Sequence, residues 1–372
     1  MSFQLVSAVG EASLLSSPFS RTTPLFPAST AVAPPDGPPI LCVIIDAEED
    51  FNWAKSFSRQ NTSVASIGAQ HRAHGIFEKY GVCPAYLLTC PVVDDTTASG
   101  ILLELLQDGR CTIGAQLHPW VTPPYREPLN PSASFAGNLP PGIERQKVQT
   151  LVDRITKRFG SAPKVYKAGR YGIGPNTAGI LADLGFLVDT SLMPRSNYRA
   201  QGGPDFSDFD YQPFWFGTGH RMLELPVTRA LVGGLAAKCP TLFKFASRSA
   251  LARLHLPAVL ARSNLIERIT LSPEGVSLEA MRRLTRGLLA RGQRLFTLSY
   301  HSPSLQPGNT PYVSNNRELE AFLRTLDGFL AFFTEDLGGR CATPLEIFDL
   351  LKAGDGGPPT THTASPIAPR GM

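Results

Sequence analysis

The sequence has no long apolar run. None reaches the ~18 residues of a membrane-spanning helix, which argues against an integral membrane protein. It has no basic segment followed by a solid apolar core at its start, so it does not read as carrying a secretory signal. Its six cysteines, Cys42, Cys83, Cys90, Cys111, Cys239 and Cys341, form no C-x-x-C pair, which excludes the common cysteine zinc sites. Cys42 and Cys111 fall in apolar runs and behave as small buried residues, a usage that fits a reducing, cytoplasmic compartment. Excess charge of one sign is also missing: 35 Lys and Arg against 31 Asp and Glu leave a net +4, which calls for no nucleic-acid partner. No G-x-G-x-x-G follows the first apolar run, which weakens a dinucleotide-binding open sheet.

What is present is an alternation of strand-like and helix-like segments. Residues 41–45, 85–89, 111–114, 164–166, 186–189, 222–227, 269–271 and 295–300 read as strands. Val148, Leu151, Val152, Ile155 and Phe159 share one helical face, as do Met281, Leu284 and Leu288. A third helix carries Leu319, Phe322, Leu323, Leu326, Leu330 and Phe333, with Asn315 and Glu318 resembling a capping box. The alternation predicts an α/β fold with a mainly parallel sheet, closed or nearly closed into a (β/α) barrel. A doubly wound open sheet is the alternative. The low-complexity ends, 1–38 and 353–372, read as a disordered leader and tail around one domain at 39–352. Residues 195–221 read as an ordered loop over the barrel mouth. Residues 231–268 read as a basic helical insertion, a solvated helix face or a surface for an anionic glycan or a membrane headgroup.

The chemistry-bearing residues gather at the C-terminal ends of the predicted strands, where α/β barrels build active sites. Ile45-Asp-Ala-Glu-Glu-Asp-Phe51 ends the first strand, and Asp46 and Glu48 point to one side of an extended chain. One carboxylate there can bind a metal while the other takes a proton. Glu49 and Asp50 lie where the chain must turn. His118 follows another strand in Gly114-Ala-Gln-Leu-His-Pro-Trp120 and is of the residue type that ligates zinc. His301, in Ser299-Tyr-His-Ser-Pro303, is placed to act as a general acid, with Asp189 a candidate to orient it. In Tyr166-Lys-Ala-Gly-Arg-Tyr-Gly172, Arg170 or Lys167 could orient the base or the substrate, and the backbone beside the glycines could hold an oxyanion. Each residue alone also has a purely structural reading, as a cap, a loop anchor or a surface ion pair.

Taken in order, these segments resemble the motifs of the polysaccharide deacetylases of the NodB-homology type, carbohydrate esterase family 4, and more narrowly its WalW-type members associated with exopolysaccharide. The resemblance covers roughly residues 39–352. It implies a distorted (β/α) barrel of roughly seven or eight strands. It implies a hydrolase that removes an N-acetyl group from an amino sugar of a polysaccharide or glycan. A divalent metal would serve it, zinc first, with cobalt, nickel or manganese as alternatives. Carried over by position, Asp46 is the base, His301 the acid, and Arg170 and Asp189 their supports. Glu48, His118 and Asp50 are the metal ligands. Departures from the family pattern fall in the second and third motifs. Gln116 stands where a first metal histidine is expected, Trp120 where a second falls, and Lys167 where an arginine aligns. Two other readings stay open: hydrolysis of a small non-sugar amide, and a non-catalytic glycan-binding relative. A groove lined by Trp53, Trp120 and Trp215 would favour a glycan, and a closed pocket a small amide.

Overall fold

A computed structural model describes residues 24–50, 55–219, 221–234 and 266–354. In chain order its strands are β1 (Thr30–Ala31), β2 (Ile40–Ala47), β3 (Ala85–Leu88), β4 (Thr112–Leu117), β5 (Val165–Ala168), β6 (Val188–Asp189), β7 (Phe214–Phe216), β8 (Met222–Glu224), β9 (Arg229–Val232), β10 (Glu267–Thr270), β11 (Leu295–His301) and β12 (Arg340–Cys341). Its helices are α1 (His71–Lys79), α2 (Cys90–Asp94), α3 (Thr96–Gln107), α4 (Pro141–Phe159), α5 (Thr177–Asp183), α6 (Leu278–Leu289), α7 (Asn316–Ala331) and α8 (Pro344–Gly354).

The main sheet runs β1-β7-β8-β6-β5-β4-β3-β2-β11, and β12 pairs the first two residues of β2 before β3 begins at Ile44. From β8 to β11 every pairing is parallel; β1 and β7 join antiparallel. The ladder stays open between β8 and β11. That gap is bridged by single backbone bonds, Thr228 N to the Thr297 carbonyl at 3.1 Å and Ser299 N to the Leu271 carbonyl at 3.2 Å. The result is a distorted, incompletely closed (β/α) barrel, and no described helix is long and apolar enough to cross a membrane.

The two-residue period of β2 sets what each face does. Leu41, Val43, Ile45 and Ala47 join the outer core under the helices; Ile40, Cys42 and Ile44 face a second apolar cluster with Leu87, Val165, Val188, Leu223 and Leu295. That inner cluster also holds Trp215 with Phe348 and Leu351 of α8. Asp46 is the next residue on the inner face, so a carboxylate is set on top of a dry interior.

Several expectations are adjusted. Residues 24–38, read as part of a disordered leader, fold onto the body: Phe26 is buried among Phe209, Phe214 and Phe216, and β1 pairs with β7. The loop at 195–221 contributes β7, because Phe214, Trp215 and Phe216 supply a strand-forming, largely buried run. The ends of the 231–268 insertion are strands, β9 and β10 pairing antiparallel, while its predicted helical centre at 235–265 lies outside the described residues, as do 1–23 and 355–372. Asn315 caps α7 by accepting from Glu318 N at 3.0 Å, whereas Glu318 reaches back to Ser314 N at 2.7 Å, one residue earlier than a standard capping box.

Candidate functional site

Strand register brings the inner-face residues together. His301 is paired with Asp46 across β11 and β2, and Gln116 with Lys167 across β4 and β5. His118 follows Gln116 by two and shares its face. Asp46, Glu48, Gln116, His118 and Lys167 are all nearly inaccessible to solvent, and His301 is the member that reaches it, with 20% of its side chain exposed.

The centre is an Asp46–Lys167 pair. Lys167 Nζ donates to both carboxylate oxygens, at 2.7 and 2.6 Å, and sits 5.0 Å from the centre of the Tyr171 ring. His301 Nε2 lies 3.5 Å from Asp46 Oδ2. Its other nitrogen, Nδ1, bonds Glu274 Oε2 at 2.9 Å, and its backbone N–H donates to Glu274 Oε1 at 3.1 Å. Burial alone would lower the His301 pKa, but Glu274, Glu48 and Asp46 outweigh it and lift it to about 10. The imidazole is thereby held charged beside the carboxylate.

A second group joins the first through Glu48. Glu48 Oε2 accepts from Gln116 Nε2 at 3.0 Å and lies 3.5 Å from His118 Nε2. Burial raises the Glu48 carboxyl to about 7, against the lowering effect of His301 and His118. His118 Nδ1 bonds Glu49 Oε1 at 2.8 Å, and its ring stacks on Trp120 at 4.2 Å. Burial works to lower its pKa, but the charge and hydrogen bond of Glu49 raise it overall. Gly169 closes against this ring: a Cβ there would meet His118 Cδ2 at 2.2 Å and the Leu117 carbonyl oxygen at 2.6 Å. Lys147, from α4, fixes the turn after His118 by donating to the Pro119 carbonyl at 2.9 Å and to the Thr122 carbonyl.

Three predicted positions differ from their expected surroundings. Asp189 is in register with Tyr166, on the outer face, and its partners are Ser191 and Glu224; Glu274 occupies the place on His301 that Asp189 was expected to take. The cause is strand parity: one residue along β6 reverses the side chain. Arg170 turns away from Asp46 to bond Ser134 and Gln201 and lies 4.1 Å over the Phe135 ring, so the cation on Asp46 is Lys167. Asp50 accepts from Ser63 Oγ at 2.8 Å and does not join Glu48 and His118. Among the tryptophans, Trp120 and Trp215 are buried, Trp215 against Phe348 in the inner cluster, and Trp53 lies outside the described residues. Glu274 and Glu49 were the residues sequence reading missed as partners. Glu49 had only its place beside Glu48 to mark it, and Glu274 sits in a loop without a motif.

Two donor arrangements could receive a divalent cation. Asp46, Glu48 and His301 offer ligand atoms within 4.8 Å of one another. There, however, the Lys167 ammonium already occupies both Asp46 oxygens. Glu48 and His118 fit better. Their facing atoms are 3.5 Å apart, a separation compatible with ligands bound at about 2.1 Å to one ion. Glu49 takes the far nitrogen of His118, as carboxylates behind metal-bound histidines do. Gln116 Oε1 is buried with no hydrogen-bond partner among the described residues, so a half-turn of the amide would present a carbonyl oxygen as third donor.

These features define an α/β barrel with a buried acid–base cluster at the C-terminal ends of its parallel strands. Among solved structures, the fold is that of a protein from Mycobacterium smegmatis described as a polysaccharide deacetylase, with 16% identity, TM-score 0.54, and coverage of 90% of this chain and 97% of that one. An allantoinase is also similar, at 14% identity and TM-score 0.47, covering 84% of this chain and 90% of its own. So is a family 4 acetyl xylan esterase from Clostridium thermocellum in complex with a cobalt ion, at 11% identity and TM-score 0.40, covering 86% and 93%. No protein-family model matches the sequence, and no curated protein matches it.

Proposed function

We propose that the chain is a deacetylase-type hydrolase that removes an N-acyl group, acetyl first, from an amino sugar of a glycan. The observation that carries this reading is the facing of Asp46 and His301 at 3.5 Å, with Lys167 behind the one and Glu274 behind the other. A carboxylate and an imidazolium on adjacent strand ends can pass one proton in and one proton out of an amide hydrolysis. The fold likeness to a protein described as a polysaccharide deacetylase supports the choice of substrate. The motif order supports the NodB-homology family and its WalW-type branch.

In this mechanism Asp46 takes the proton of the attacking water. Lys167 holds the carboxylate ionised and fixes its orientation, and buried surroundings strengthen the pair. His301 protonates the departing nitrogen, and Glu274 fixes the ring so that Nε2 points at the reacting centre. The backbone N–H of Tyr171, next to the cation at Lys167, is the proposed oxyanion donor. Glu48 and His118, with Gln116, would hold a divalent ion, zinc or a relative, which when bound supplies Lewis-acid polarisation of the carbonyl and a lowered pKa for water. Hydrolysis of a small amide is the second reading, favoured by the burial of every member of the cluster but His301 and by the absence of Trp120 and Trp215 from an exposed groove.

The test is metal content after reconstitution with zinc, cobalt, nickel or manganese, in wild type and in His118→Ala, followed by acetate release from N-acetylated oligosaccharides. The reading expects near-stoichiometric metal lost in the variant, and acetate from the wild type. No metal in either protein and no acetate from any substrate would overturn it.

A further inference from the structure

Next to the cluster, the barrel mouth carries positive charge that the described carboxylates do not neutralise. In the β9–β10 ribbon Arg229 lies opposite Thr270, which puts Arg268, two residues before Thr270, on the same face as Arg229. Arg229 donates from Nη1 to Ser196 Oγ at 2.7 Å, while its buried Nε has no hydrogen-bond partner among the described residues. The groups whose charge it feels are the phenols of Tyr198, Tyr171 and Tyr312, which burial keeps neutral. Arg268 donates to the Arg195 carbonyl at 2.7 Å, and burial together with the charge of Arg229 lowers its pKa to about 10.

Two largely buried guanidinium groups side by side repel each other and lose hydration. An anion between them would relieve both costs. The place adjoins the reaction centre. Tyr171 is within electrostatic reach of both Asp46 and Arg229, and its ring stacks on Tyr198 at 6.0 Å. Tyr171 is held there by a left-handed backbone, with φ of 57° at Arg170 and 58° at Tyr171, a conformation that a side-chain-bearing residue adopts at a cost.

We propose that Arg229, with Arg268 beside it, seats a carboxylate of the substrate, so that the amide cleaved at Asp46 and His301 belongs to an acidic N-acyl amino sugar rather than a neutral one. The inference rests on the amide-hydrolase reading of the cluster. The planar fork of arginine matches a carboxylate in two directions, which makes it a selector of that group.

The experiment is calorimetric binding to the full-length protein of two probes that differ by one carboxylate, N-acetylmuramic acid and N-acetylglucosamine, with acetate release measured in parallel. Wild type is expected to prefer the acid by about 10- to 100-fold, as for hydrogen bonds to a charged group. Arg229→Gln should remove the preference by weakening the acid alone, and Arg229→Lys should keep part of it. If Arg229→Gln does not fold, Arg268→Gln carries the test, with a reduced preference expected. Equal affinity for the two probes in wild type, binding of neither, or a preference that survives in a folded Arg229→Gln protein overturns the seat. A preference without acetate release keeps the seat and overturns the hydrolase reading. Acetate from the neutral sugar without a preference overturns the seat alone.

Discussion

Replacing Lys167 by methionine removes one half of a buried ion pair and leaves its shape nearly unchanged. Both partners are 2% exposed, and the ammonium donates to both Asp46 oxygens at 2.7 and 2.6 Å. The orphaned carboxyl must then stay charged in a dry site or take up a proton. Holding a carboxyl of ordinary acidity protonated at pH 7 costs about 4 kcal/mol, roughly three units at about 1.4 each. Breaking buried pairs by removing one partner costs a similar amount, about 3–5 kcal/mol. The His301 imidazolium, 3.5 Å away, compensates part of this, so about 3 kcal/mol is expected for Lys167→Met. The double variant Lys167→Met with Asp46→Asn leaves no orphaned charge and should return to within about 1 kcal/mol of wild type. Urea unfolding of wild type, both single variants and the double variant measures this cycle. A loss under about 1 kcal/mol in Lys167→Met, or a double variant as unstable as the sum of the singles, would refute the claim that the two groups form one buried pair.

The other predictions concern groups around that pair. Glu274→Gln removes the main group raising His301, so the imidazole titration, about 10 in wild type, should fall by at least about one unit, read by NMR. Because the folded pKa of His301 is raised from 6.5, its stabilising contribution is complete below that value and lost as pH rises through about 10; Glu274→Gln should narrow that window. His74, buried against Tyr86 with Nε2 2.8 Å from the phenol oxygen, has its pKa lowered from 6.5 to about 4, mainly by burial. Its contribution is complete above 6.5 and lost as pH falls through about 4, so thermal melts between those values should lose stability in wild type and be flatter in His74→Phe. Gly169→Ala would drive a Cβ into the His118 ring, with a cost of about 1–3 kcal/mol and shifted His118 resonances; an unchanged melt and spectrum would count against the close contact.

Much of the barrel was legible because its signals are local. The apolar run ending at Asp46 and the 3.6-residue stripe of α4 need no knowledge of the rest of the chain. The parallel order followed from alternation alone. Strands without a strong period escaped: β1 has two residues, β12 two, and both exist because a neighbour offers an open edge. The site was legible as a set of strand ends and illegible as a set of contacts. Asp189 lies one residue out of phase on a two-residue strand too short for parity to be read from its own sequence. Arg170 and Lys167 compete for one role three residues apart, and the left-handed turn that sends Arg170 toward Phe135 is a tertiary outcome. Glu274, 27 residues before its partner His301, could be found only once the chain had folded.

The central claim is that Asp46 and His301 are the base and acid of an amide hydrolysis. Its most direct test is acetate release from an N-acetylated amino sugar at saturating concentration, wild type against Asp46→Asn. The account predicts release by wild type and a rate lower by about 10²–10⁴-fold in the variant, the worth of one positioned acid–base group. Equal rates in a folded Asp46→Asn protein would contradict it.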